Sequence, residues 1–97
     1  MTPSNIERDV QIVNRLGLHA RAAAKFVRLA SEFNAMIFVA RDGFEVNGKS
    51  IMGVMMLAAS RGSTIRLRAV DVDESNDAAA AIDALAALIQ NRFEESE

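Results

Sequence analysis

Gly17-Leu18-His19-Ala20-Arg21-Ala22-Ala23-Ala24 is the stretch where one hydrophobic period gives way to another. Upstream, residues 6–13 set Ile6, Val10 and Ile12 on one alternation and Glu7, Asp9 and Gln11 on the other. That pattern predicts a half-buried strand whose apolar face Arg8 interrupts. Asn14 to Leu18 reads as a loop, with Gly17 able to take angles that other residues avoid. From Ala20 to Phe33 the period lengthens. Arg21, Lys25, Arg28 and Glu32 form one polar stripe, and Ala20, Ala23, Ala24, Val27 and Ala30 the opposing apolar face, flanked by Phe26, Leu29 and Phe33. The alanines favour helix and allow close approach to a sheet.

The same stretch holds the only histidine of the chain. A neutral imidazole has an unprotonated, nucleophilic ring nitrogen near physiological pH. A helix N-terminus offers unpaired backbone N–H groups and the positive end of the dipole, so it welcomes an anion. With His19 at the helix mouth, the N–H groups of Ala20, Arg21 and Ala22 are candidates to face a phosphate. The Arg21 guanidinium adds a fork for phosphate oxygens. The plainer reading is a polar loop histidine beside a solvated basic face, and spacing alone favours it. No acid, thiol or second histidine is visible locally, which disfavours a self-contained hydrolase.

Working outward, Met36–Ala40 predicts a strand covered on both faces. Arg41-Asp42-Gly43 predicts a hairpin turn, and Phe44–Val46 the short return strand. Ser50 is suited to cap a helix starting at Ile51. Residues 51–59 carry no polar side chain, so that helix either sinks into the core or leaves a face for a partner. Thr64–Ala69 alternates cleanly, with Ile65, Leu67 and Ala69 inward. An acidic loop from Asp71 to Asp77 ends in N-cap material, Ser75-Asn76-Asp77. A last helix from Ala78 to Phe93 buries Ile82, Leu85 and Ile89, and Glu94–Glu97 is expected to be solvated. Residues 1–5 read as a flexible lead. The sum is an α/β (α+β) fold, β-α-β-β-α-β-α, in which three helices cover one face of a four-stranded sheet.

Composition narrows the function. The 97 residues suit one domain, 1–97, and 51% apolar residues can fill a single core. A net charge of -2 argues against a general nucleic-acid binder. Arg66 and Arg68 share the outer face of one strand, but no aromatic side chain interleaves with them for stacking. There is no cysteine, and one histidine leaves too few ligands for zinc, so no metal is expected. Met1–Asn5 lacks the basic and apolar stretches of a signal peptide, and no apolar run reaches the roughly 20 residues of a membrane helix. A cytoplasmic protein without membrane insertion is expected.

The block Gly17-Leu18-His19-Ala20-Arg21, followed by Ala22-Ala23, resembles the active-site signature of HPr, the histidine phosphocarrier family of the bacterial phosphoenolpyruvate-dependent phosphotransferase system. Lys49-Ser50-Ile51-Met52-Gly53-Val54-Met55-Met56-Leu57 resembles the family's second signature, in register with the first. The resemblance implies an open-faced β-sandwich with a four-stranded antiparallel sheet. It implies a carrier rather than an enzyme, with no cofactor. His19 would take phosphate on Nδ1 from enzyme I and pass it to an enzyme IIA domain, with Arg21 steadying the phosphohistidine. Ser50 would be the regulatory site of HPr kinase/phosphorylase. Arg21, Lys25, Arg28, Ile51, Met52 and Met55 would dock partners, and the carrier is expected to be a monomer. Family members usually carry proline where this chain has Ala22, a residue that restores an N–H at the helix start. The Asn14–Gly17 lead looks like the nitrogen-branch paralogue and the Lys49 block like the sugar-branch members, so both branches stay open. The alternative is a regulatory binding module of the same fold, acting through Ser50 and the Ile51/Met52/Met55 patch.

Overall fold

A computed structural model describes residues 4–97. The elements run β1 (Asn5–Gln11), α1 (Ala20–Ala30), β2 (Met36–Arg41), β3 (Phe44–Asn47), α2 (Ile51–Met56), β4 (Thr64–Val70) and α3 (Ala78–Gln90), followed by a 3-10 turn at Arg92–Glu94. This is the expected order. The strands form one sheet in the order β1-β4-β2-β3, every neighbouring pair antiparallel. β4 lies at the centre because its alternation is the cleanest: Ile65, Leu67 and Ala69 are buried against the helices while Arg66 stays outside. Ile37 and Val39 of β2 join them, and α3 closes the layer with Ile82, Leu85 and Ile89. Small residues on the helices, among them Ala22, Ala23, Ala78 and Ala81, let their backbones approach the sheet.

Several expectations change in detail. β2 is covered on one face only: Ile37 and Val39 are buried, Met36 is exposed, and Phe38 lies on the open face beneath the Arg68 guanidinium, 4.2 Å from the ring centre. Arg8 does sit on the apolar alternation of β1, and it escapes burial by reaching the rim, where Nη2 donates to Asp83 Oδ1 of α3 at 2.7 Å. α1 buries Ala22, Ala23, Phe26 and Ala30, so its core face is rotated from the expected one and Ala20 is exposed. It also ends at Ala30, before Phe33. α2 stops at Met56 rather than running to 59.

The cap of α3 is built differently from its local sequence. Asp77 holds the N-cap position, but its side chain bonds no amide of its own helix. Its carboxylate instead accepts from the backbone N–H groups of Asn34 and Ala35, at 2.7 and 2.9 Å. The helix start is served by buried Asp71, whose Oδ1 accepts from Ala78 N at 2.8 Å. The two acids thus stitch α3 to the end of α1 and to β4. Of the flexible lead, residues 1–3 lie outside the described residues, while Asn5 already pairs with Val70 in the sheet.

The chain end departs most. The last helix stops at Gln90, and Arg92, Phe93 and Glu94 all take positive φ, at 57, 53 and 65°. Such angles cost L-residues about 1–2 kcal/mol each. They turn the chain back on itself, and Phe93 fills the core completely buried. Glu94, Ser96 and Glu97 are exposed as expected of the tail, but Glu95 is half-buried and the segment lies as a strap across the mouth of α1.

Candidate functional site

The loop from Asn14 to Leu18 fixes the mouth of α1. Gly17 has φ +68°, and a Cβ there would lie 2.5 Å from the Ala59 carbonyl oxygen. Leu18 N donates to that same carbonyl at 2.9 Å. The loop therefore lies backbone to backbone on the segment after α2, and only glycine permits the approach. His19 follows as the N-cap of α1, extended at φ -74° and ψ 176°, with its carbonyl accepting from Ala23 N. Its side chain bonds none of the helix N–H groups. The first-turn amides of Ala20, Arg21 and Ala22 have no preceding turn to bond to. No acidic residue sits in that first turn. The helix mouth is positive and uncapped by its own histidine.

The ring is held from the other end of the chain. His19 Nε2 lies 2.5 Å from Glu95 Oε2, across 76 residues of sequence. Both side chains are largely covered, at 26% and 15% exposure. The second carboxylate oxygen accepts from Asn14 Nδ2 at 3.0 Å, and the same amide nitrogen donates to Gly17 O at 2.8 Å. Burial alone would push the Glu95 carboxyl up. Hydrogen bonds from Asn14 and His19, with the charges of His19 and Lys25, outweigh it and hold the group below the usual carboxylate range. The strap is fastened on both sides: Lys25 Nζ donates to Phe93 O at 2.7 Å, Arg15 N to Glu97 O at 2.9 Å, and the Arg15 guanidinium to Glu97 Oε2 at 2.6 Å.

Between strap and helix lies an open groove of about 280 Å³, lined by Arg15, Leu16, Arg21, Lys25 and residues 94–97. Arg21 is exposed and enters no ion pair among the described residues. Lys25 borders the groove too, its ammonium taken by the strap, while Arg28 is exposed in the last turn of α1.

Ser50 is the N-cap of α2, and its Oγ accepts from Gly53 N at 3.1 Å. α2 leaves an apolar surface: Ile51 and Met55 are exposed, with Met52 at 77% and Met56 at 65%. Leu16, in the loop before His19, is exposed to 63%. Together the α2 side chains form an exposed apolar patch on a short helix.

A family model for the PTS HPr component phosphorylation site matches residues 6–91. The chain belongs to the HPr family. It is 52% identical to the phosphocarrier protein HPr of Cupriavidus necator over 92 residues, covering 95% of this chain and 99% of that one. The fold agrees with a crystallised HPr-C-His from Thermoanaerobacter tengcongensis, with TM-score 0.85 and 43% identity over 95% of this chain and 99% of the other. An HPr dimer from the same organism matches at TM-score 0.70 and 45% identity over 89% and 94%. The role of phosphocarrier in a phosphotransferase system comes with the family. The expectation of a monomer gains no support, since an HPr of nearly equal similarity is a dimer.

Sequence reasoning missed Glu95 and Asn14 as neighbours of the HPr histidine, and Leu16 and Met56 as part of the apolar surface. Glu95 had no signal of its own; the nearest was Phe93, which the helical period counted as the end of the last helix. Arg66 and Arg68, weighed for nucleic acid, are answered by acids on the open face: Arg66 Nε donates to Asp9 at 2.9 Å and Arg68 Nη2 to Glu45 at 2.8 Å. No group of three or more metal-ligating side chains occurs among the described residues, and no described helix is long and apolar enough to cross a membrane.

Proposed function

We propose that residues 1–97 act as one carrier domain that accepts a phosphoryl group on His19 from enzyme I and passes it to an enzyme IIA domain. The carrying observation is a unique imidazole at the N-terminus of α1 whose side chain leaves the first-turn amides unanswered. Nε2 is occupied by Glu95, so Nδ1 is the nitrogen with a free lone pair. That lone pair forms the P–N bond as phosphorus parts from the donor atom of enzyme I, which keeps its bonding electrons. The amides of Ala20, Arg21 and Ala22 and the Arg21 guanidinium answer the charge that arrives. Ala22, in place of proline, contributes an amide rather than removing one.

Partners dock on the surface around this mouth: Arg21, Lys25 and Arg28 on α1, and Ile51, Met52 and Met55 on α2. Apolar contact supplies burial and the cations select an acidic rim. Ser50 is the site for a regulatory kinase of the HPr kinase/phosphorylase kind. A phosphate there suits the helix start but sets about two negative charges beside Ile51 and Met52, which opposes an acidic partner. The site works in the cytoplasm, in the sugar or the nitrogen branch.

With phosphoenolpyruvate and enzyme I, the wild-type chain takes up an acid-labile, base-stable phosphate and His19→Ala takes up none. Equal labelling of the two overturns the reading.

A further inference from the structure

The strap gives the chain end a task that the local sequence does not suggest. Residues 91–97 spend three consecutive left-handed backbone positions to bring one carboxylate onto the imidazole. Phe93 anchors the turn in the core, Lys25 clamps its carbonyl, and Arg15 clamps the last residue twice. Asn14 then orients the carboxylate. Its Nδ2 reaches two oxygens, of Gly17 and of Glu95, that can only accept. The Asn14 amide is therefore turned with its NH2 group toward both, and Glu95 Oε1 is fixed. The remaining oxygen, Oε2, faces His19.

An ionised carboxylate has no proton to give. The short contact at 2.5 Å therefore requires the proton on Nε2 of the ring. Building on the assignment of His19 as the phosphoryl acceptor, we propose that Glu95 is a positioning residue: from the C-terminal strap it holds the His19 ring in the Nε2–H tautomer and in one orientation, leaving Nδ1 unprotonated for the incoming phosphorus. The logic is that of any carboxylate that fixes the tautomer of a working histidine. It differs from a buried triad in that the carboxylate arrives on the last turn of the chain, next to the groove where Arg21 stands. The hydrogen bond also persists after transfer, because a ring phosphorylated on Nδ1 still carries its Nε2 proton.

The test uses the full chain labelled with 15N in histidine, near pH 9, where an ordinary imidazole is neutral. The wild type shows Nε2 as the protonated nitrogen, with no Nδ1–H form, and an Hε2 signal protected from exchange with water. Glu95→Gln has one acceptor oxygen, which the Asn14 NH2 group claims; its own NH2 then faces the ring and favours the Nδ1–H form. Glu95→Leu keeps the bulk without the acceptor; its Hε2 signal is lost to exchange and the Nδ1–H form becomes detectable. The initial rate of phosphorylation by enzyme I falls several-fold in Glu95→Leu and in Glu95→Gln. An exchange-protected Hε2 and unchanged tautomer in folded Glu95→Leu, or a dominant Nδ1–H form in the wild type, overturns the proposal. The nitrogen spectra need no phosphate. A normal tautomer response with no label on His19 sinks the carrier assignment, and with it Glu95's part in transfer, leaving only the ring contact. A labelled His19 with no tautomer response sinks Glu95 alone.

Discussion

The mouths of α1 and α2 are finished in opposite ways. At α2 the N-cap is a serine that answers its own helix, Oγ on Gly53 N. At α1 the N-cap is a histidine whose side chain answers no amide of its helix and is pulled instead onto a carboxylate 76 residues away. A satisfied cap stabilises; an unsatisfied one keeps its amides for a ligand. The difference separates a mouth whose amides are answered by its own cap from a mouth whose cap leaves them unanswered.

The approach to each mouth is made by a glycine two residues earlier, Gly17 before His19 and Gly48 before Ser50. A Cβ on Gly48 would meet the side chain of Ile37, at 2.6 Å, whereas one on Gly17 would meet the Ala59 carbonyl at 2.5 Å with φ already at +68°. The Gly48 Cβ would also lie 3.2 Å from the Ile37 carbonyl oxygen, so both sites are crowded, and the left-handed φ is the added cost at Gly17. Gly17→Ala is therefore expected to cost about 3 kcal/mol or more, from the left-handed penalty plus the displaced backbone, and more than Gly48→Ala. Urea denaturation of the two variants compares them directly. A Gly17→Ala chain as stable as Gly48→Ala would mean that the loop is not pinned to the segment after α2.

The caps themselves come next. Ser50→Ala is expected to lose about 1 kcal/mol of stability, the usual worth of a serine N-cap. At the other mouth the same hydroxyl should add stability: His19→Ser is expected to be about 1 kcal/mol more stable than His19→Ala. Both of those variants lack the imidazole and hence the Glu95 contact, so the difference between them isolates the cap. Thermal unfolding of the three chains is enough. If His19→Ser gains nothing over His19→Ala, the α1 amides are already satisfied and the contrast between the mouths fails.

How much of this was readable in advance follows from the range of the interactions. The alternation Thr64–Ala69 names the central strand because each inward residue is followed by a polar one. Ser50 before an apolar run, and His19 at a change of period, mark both mouths, since caps act within a turn. The two signatures carried the fold further than periodicity could. What failed was long-range. Asp77 looks like a cap for α3, but it serves Asn34 and Ala35 while Asp71 does the capping. Arg8 looks like a flaw in a strand until Asp83 of α3 answers it. Glu95 sits among acidic residues in a tail whose left-handed turn has no glycine to announce it. Local propensity there points to a solvated end, and only the burial of Phe93 and the clamps of Arg15 and Lys25 overrule it.

The smallest expected effect lies in pH, and it again separates the two mouths. Glu95 is held below the ordinary carboxylate value in the folded chain, where burial opposes ionisation but Asn14, His19 and Lys25 outweigh it. A group depressed on folding adds stability above its unfolded value, about 4.3, and that share is lost as pH falls through the lower folded value. Asp9, Glu45 and Asp73 are depressed as well, so acid weakens the whole chain and the raw curve is not informative. The difference between wild type and Glu95→Gln is. It should be flat above about pH 5 and should shrink below about pH 4 as the wild-type carboxylate takes up its proton. The corresponding difference between wild type and Ser50→Ala should stay constant through the same range, because a hydroxyl on an amide does not titrate. A Glu95→Gln difference that ignores pH would show the carboxylate unpaired in solution. The α1 mouth would then lack its long-range holder, and the strap would have no part in orienting the ring.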